Sequence, residues 1–203
     1  MPVVEIASIP ASEAFLADLT LIDGPVANIV GKAEGFISAY VGLQIEDQKT
    51  AYLIVLWESL EAHQKLIGDP IYPTLISQLA PAVAGALKLQ HVEFTGDVAI
   101  AFGAPVTEVA VSKLREGKSK EDVDTFMPVM VEASKVPPVA HGPCAYGEVI
   151  EEPGTFYLVL GWDSPEAHRA VTGVEGPGKE VVKKFREIVD LESMVHVKFT
   201  KVA

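Results

Sequence analysis

Four of the five histidines in this 203-residue chain stand at matched places. His63 follows Trp57 in VLWESLEAHQKL, and His168 follows Trp162 in LGWDSPEAHRAV; His91 and His196 open HVEFT and HVKFT. Imidazole ordinarily titrates near neutrality, so a histidine held in a pocket suits proton transfer. The same four residues also fit a structural role, His63 and His168 one turn into a helix and His91 and His196 inside a strand. Trp57 and Trp162 each end an apolar run, which suits core packing or a pocket wall for a flat ligand. His141 has no counterpart, since Phe36 stands at its matching place. It lies in VPPVAHGPCAYG near Met127, Met130, Cys144 and Tyr146, a set that suits either the lining of an apolar pocket or a solvent-exposed loop. Tyr72 in GDPIYP and Tyr40 are confined to the first half. Each offers a hydroxyl to orient a phenol or carbonyl, or caps a core with its oxygen in water.

The repeated motif has a reading without chemistry. Ser59 and Ser164 stand where a helix begins, and Pro165 occupies the favoured first helical position. Metal signatures such as HExxH and CxxC are missing, so no metal is expected. GVEGPGKE (173–180) approaches a phosphate-binding loop, but Glu180 replaces the magnesium-binding Ser or Thr and a helix precedes it. It reads as a helix break.

Two halves must position these residues. Subtracting 105 carries Trp162 onto Trp57, His168 onto His63, HVKFT onto HVEFT, Tyr157 onto Tyr52 and Gly147 onto Gly42. It also lays VAVSKL (109–114) on VEIASI (4–9), a weaker match. The halves are expected to be residues 1–97 and 106–203, joined by a connector, 98–105. The first carries 4 basic and 12 acidic residues and the second 12 and 16, so their surfaces have diverged.

Each half reads as β-α-β-β-α-β. VVEIAS is a strand, and Ser12 caps a helix reaching Val30, with Gly24-Pro25 a place for it to kink or split. Phe36–Glu46 and Ala51–Trp57 form a hairpin over DQKT, a helix follows Ser59, and Leu87–Gly96 is the last strand. In the second half the plan returns as 118–135, 144–151, 156–162, 164–189 with a break at the glycines, and 191–201. Apolar residues fill both faces of the strands, so the expected architecture is α+β: tandem ferredoxin-like repeats whose antiparallel sheets pack together, helices outside.

Composition sets the remaining bounds. Apolar residues make up 49%, yet no apolar run approaches the ~20 residues needed to cross a bilayer. A formal charge of −12 disfavours nucleic acid as a partner. One cysteine and an N-terminus without a secretory pattern lead to the expectation of a cytoplasmic protein.

A strand ending in Trp, then acidic-Ser-x-Glu-Ala-His at a helix start (WESLEAH and WDSPEAH), resembles the antibiotic biosynthesis monooxygenase-like domains of the dimeric α+β barrel superfamily. The resemblance covers both halves and implies an intramolecular pseudo-dimer, with further oligomerisation open, and a pocket between the sheet and helices of a unit. Relatives include cofactor-independent monooxygenases of phenolic or quinone substrates, haem-degrading enzymes, polyketide cyclases and non-catalytic proteins. Haem degradation is disfavoured, because neither half has a helix histidine beyond the motif. The resemblance leaves three readings: a monooxygenase-like protein taking a small apolar or aromatic molecule, of phenolic or quinone type, with no cofactor expected; a polyketide-cyclase-like enzyme; and a non-catalytic binding or stress-related protein. Candidate catalytic residues are His141, Tyr72, His63 and His168. Candidate binding residues are Trp57, Trp162, His91, His196, Tyr40, Tyr146, Met127 and Met130.

Overall fold

The computed structural model describes residues 2–136, 139, 141–173 and 175–203. They cluster into two units, Met1–Glu93 with Thr200–Ala203, and Phe94–Phe199.

In the first unit β1 (Val3–Pro10) pairs antiparallel with β3 (Thr50–Trp57) on one side and with β4 (Lys88–Thr95) on the other, and β2 (Phe36–Gln44) pairs with β3. β-Branched residues dominate β1, which buries Val3, Val4, Ile6, Ala7 and Ile9, so both of its faces are covered. The hairpin over DQKT is fixed by Asp47, whose carboxylate accepts the backbone N–H groups of Lys49 and Thr50 at 2.8 and 3.0 Å.

The helix expected from Ser12 to Val30 is instead α1 (Glu13–Ala17), α2 (Asp23–Asn28) and a 3₁₀ turn, Val30–Lys32. Ser12 caps it as expected, its hydroxyl accepting Phe15 N–H at 3.1 Å. The break falls before Gly24-Pro25, where Asp18 accepts the N–H and O–H of Thr20 at 3.0 and 2.6 Å, an Asx-type bond that competes with the helix. Pro25 is then in the first turn of α2, where its missing N–H costs nothing. The break lets Phe15, Ile22, Val26 and Val30 all reach the core, while Leu16 and Leu19 stay exposed. Beyond β3 come α3 (Leu60–Ile67) and α4 (Tyr72–Leu79).

The second unit opens with α5 (Val98–Phe102) and repeats the plan. β5 (Val106–Leu114) pairs with β7 (Thr155–Trp162) and β8 (Val189–Lys201), and β6 (His141–Val149) pairs with β7. α6 (Lys120–Ala133) begins in a reciprocal capping box of Ser119 and Asp122. α7 (Pro165–Thr172) and α8 (Pro177–Phe185) are separated at the glycine-rich stretch. β6 starts three residues earlier than expected: His141 already pairs with Gly161, before an irregularity leads to Ala145. Gly161 permits that approach, since a Cβ there would meet the His141 Cβ at 2.6 Å. Of VPPVAHGPCAYG, Pro137, Pro138 and Ala140 lie outside the described residues.

One sequence pairing is corrected. Val3 faces Trp57 and Val106 faces Trp162, so β1 and β5 correspond at an offset of 103 rather than 105. VTEVAV (106–111) therefore lies on VVEIAS (3–8), and Glu108 on Glu5. Two residues of difference are absorbed between the first and second strands of each unit, which the 105 offset concealed.

Candidate functional site

The corrected register explains a constellation that occurs twice. In the first unit Glu5 is paired with Val55 on β3 and His91 on β4. Trp57, two residues beyond Val55, projects from the same sheet face as Glu5 and His91. Trp57 Nε1 donates to Glu5 Oε2 at 2.9 Å. Ser59, whose hydroxyl accepts Ala62 N–H at 3.4 Å, starts α3 so that His63 falls on the face toward the sheet. Its ring stacks on Trp57, with centroids 5.1 Å apart and planes 7° from parallel. His63 Nδ1 lies 2.7 Å from His91 Nε2 and 3.5 Å from Glu5 Oε2.

The second unit repeats this with Glu108 opposite Leu160 and His196. Trp162 Nε1 donates to Glu108 Oε2 at 2.9 Å, and the His168 ring stacks on Trp162 at 4.7 Å. His168 Nδ1 lies 2.9 Å from His196 Nε2, and its other nitrogen, Nε2, is 3.5 Å from Glu108 Oε2. His168 thus stands between the carboxylate and the second histidine, whereas His63 turns one nitrogen toward both.

Burial sets the charges. It pushes the Glu5 carboxyl up to about 7, against the lowering effects of the Trp57 N–H and His91. Glu108 is raised for the same reason, against Trp162 and His196. Burial, with smaller contributions from His196 and Arg169, pulls His168 down to about 4. A single proton bonds the two ring nitrogens of each histidine pair; two imidazolium ions would place two donors face to face. Each constellation is therefore a neutral or singly charged proton-sharing group, built around a carboxyl whose burial favours the protonated form. Among the described residues no three His, Cys, Asp or Glu side chains form a group suited to holding a metal ion.

Each carboxyl faces a cavity between its unit's sheet and helices. The first cavity measures about 410 Å³ and is lined by Glu5, Trp57, His63 and Tyr72 among largely apolar neighbours such as Leu53 and Leu75. Burial and the charge of Glu5 raise the Tyr72 phenol above its usual range, so it stays protonated and able to donate. The second cavity measures about 150 Å³ and is lined by Glu108, Trp162 and His168 with Met130, Cys144 and Phe185. Burial pushes the Cys144 thiol up to about 11, leaving it protonated at neutral pH.

Of the residues singled out in the sequence, Trp57, His63, His91 and Tyr72 come together in the first unit, and Trp162, His168, His196 and Met130 in the second. Both tryptophans are buried, yet they are pocket wall and hydrogen-bond donor at once. His141 lies elsewhere, bonded to Asp163 at 2.8 Å. Tyr40 and Met127 are buried in core, and Tyr146 packs against the core of the second unit. Sequence reasoning missed Glu5 and Glu108, the residues on which each group turns. The signal was present as Val-x-Glu-aliphatic-Ala in both VVEIA and VTEVA.

No protein-family model matches the sequence, and no curated protein matches it. Solved structures do match. Two ferredoxin-like α+β repeats in one chain make up a fold that several of these structures share. An anthrone oxidase-like protein superposes with a TM-score of 0.70 at 16% identity, covering 100% of this chain and 93% of its own. A candidate monooxygenase from Lactobacillus acidophilus gives 0.64 at 15% identity, with 100% and 94% covered. Another, from Fusobacterium nucleatum, gives 0.69 at 9%, with 100% and 93% covered. No helix among the described residues is long and apolar enough to cross a membrane.

Proposed function

We propose that the first unit binds a small phenolic or quinone-type aromatic molecule and oxidises it with dioxygen, as a monooxygenase that needs no cofactor. The observation that carries this reading is the Glu5 carboxyl, buried at the wall of a largely apolar cavity of about 410 Å³, within the range of ligand pockets. An apolar cavity selects a flat hydrophobic molecule, and a carboxylate that titrates near 7 is matched to removing its proton at neutral pH. The anthrone oxidase-like and monooxygenase names among the fold neighbours agree with this chemistry.

In the reaction Glu5 takes a proton from a phenolic hydroxyl or from a carbon beside a carbonyl, and His63, 3.5 Å away, stabilises the charge that this moves. Tyr72 donates to the oxygen on which the substrate's negative charge collects. The electron-rich anion reduces dioxygen and forms a carbon–oxygen bond. Cleavage of the oxygen–oxygen bond then leaves a carbonyl on the substrate, and the second oxygen departs as water with the protons removed. The substrate supplies all four electrons. Trp57, whose N–H is committed to Glu5, positions that carboxylate and walls the cavity.

Incubating the protein with hydroquinones and hydroxyanthrones under oxygen, with and without chelator, tests this. One equivalent of oxygen consumed per oxygen atom inserted into the substrate, unchanged by chelator and lost in Glu5→Gln, is the expected result. Tight binding without oxygen uptake would make the protein a binding module instead.

A further inference from the structure

The two cavities share a Glu–Trp–His wall but differ on the helix that faces it. Tyr72, Leu79 and Ala80 of the first unit occupy the same spacing along the lining as Gly178, Phe185 and Arg186 of the second. The hydroxyl at the first position is lost, Phe185 replaces a leucine, and an arginine replaces an alanine. Phe185 narrows the site, and 150 Å³ is about the volume of an apolar cavity known to hold one benzene ring. A three-ring molecule of the kind suited to the first unit does not fit. Arg186 is exposed, lines this cavity, and forms no side-chain hydrogen bond or ion pair among the described residues. In a chain of net charge −12, an unpaired guanidinium at an apolar cavity is a local attraction for an anion that the rest of the surface repels.

We propose that the second unit is a separate ligand site for a single-ring aromatic carboxylate, of benzoate type, its ring packed beside Trp162 and its carboxylate held at Arg186. A guanidinium fork matches a carboxylate geometrically, and the ring meets a largely apolar wall that includes Leu158, Leu160, Val171 and Phe185. The first cavity, with Ala80 in the corresponding place, has no Lys or Arg among its described lining residues and takes neutral ligands.

The chain contains two tryptophans, one per cavity, so 5-fluorotryptophan labelling gives one fluorine resonance for each site, assigned with Trp162→Phe. Titration of the full-length protein with benzoate should move the Trp162 resonance and leave that of Trp57 in place. Phenol, of the same ring size but uncharged, should bind Trp162's site more weakly. Arg186→Ala should weaken benzoate by about tenfold with phenol unaffected, and Arg186→Lys should restore part of the loss. Benzoate acting at Trp57, equal affinity for phenol and benzoate, or an Arg186→Ala protein that binds benzoate normally would each overturn the proposal. So would the lack of any Trp162 shift at millimolar benzoate. None of these readouts depends on oxygen chemistry in the first unit, so the two readings fail separately.

Discussion

Replacing Glu5 by glutamine should make the protein more stable at alkaline pH while removing its proposed base. The carboxyl is raised from 4.5 to about 7, so the native state holds its proton more tightly than the unfolded chain. The stabilisation that follows is complete below pH 4.5 and is lost as the pH rises through 7. The gap between those two values corresponds to about 3 kcal/mol at ~1.4 kcal/mol per pH unit. The glutamine side chain has the same shape, its carbonyl oxygen can still accept the Trp57 N–H, and it never ionises. Urea unfolding at pH 4.5 and pH 8 should therefore give a variant-minus-parent difference that grows by about 3 kcal/mol between the two. Titrations in the second unit cancel in that difference, being common to both proteins. A difference constant to within about 0.5 kcal/mol would show that Glu5 is not held in a carboxyl-raising environment, and the proposed base would lose its physical footing.

Two further outcomes follow from the same geometry. His168 is lowered from 6.5 to about 4, so its contribution to stability is present above 6.5 and fades as the pH falls toward 4. After allowance for solvent screening this amounts to about 2 kcal/mol, and His168→Gln should flatten that part of a pH–stability curve measured by urea unfolding. His141→Ala removes only a partly exposed contact with Asp163, and should change stability by less than about 1 kcal/mol and oxygen uptake not at all.

Much of this was legible in the sequence because the repeat is held by residues with local jobs. Ser59, Ser164 and Pro165 start helices, and Trp57 and Trp162 end strands, so their spacing survives divergence and displays the two units. The carboxylates were hidden for a specific reason. A strand constrains only alternation along its own length, so a two-residue change before the hairpin leaves the fold intact but defeats a single offset. At 105 Glu5 falls on Ala110 and Glu108 falls on Val3, so neither carboxylate shows a counterpart. An acidic residue without a counterpart, in an otherwise apolar strand, passes as a surface position. Cavity size was hidden likewise, because the lining of α4 and α8 corresponds at 106. At that spacing Phe185 takes Leu79's place and Arg186 that of Ala80. The uniqueness of His141 drew attention for its chemistry, while its pairing with Gly161 and its bond to Asp163 hold it away from either cavity lining.

The most direct measurement is kcat/KM for oxygen uptake as a function of pH, with a hydroxyanthrone as substrate, for the parent protein and Glu5→Gln. If Glu5 takes the proton, the parent rate rises about tenfold per pH unit below about 7 and levels above it, while Glu5→Gln loses at least about a hundredfold across the range. A Glu5→Gln protein that retains the parent's rate and pH profile would contradict the assignment.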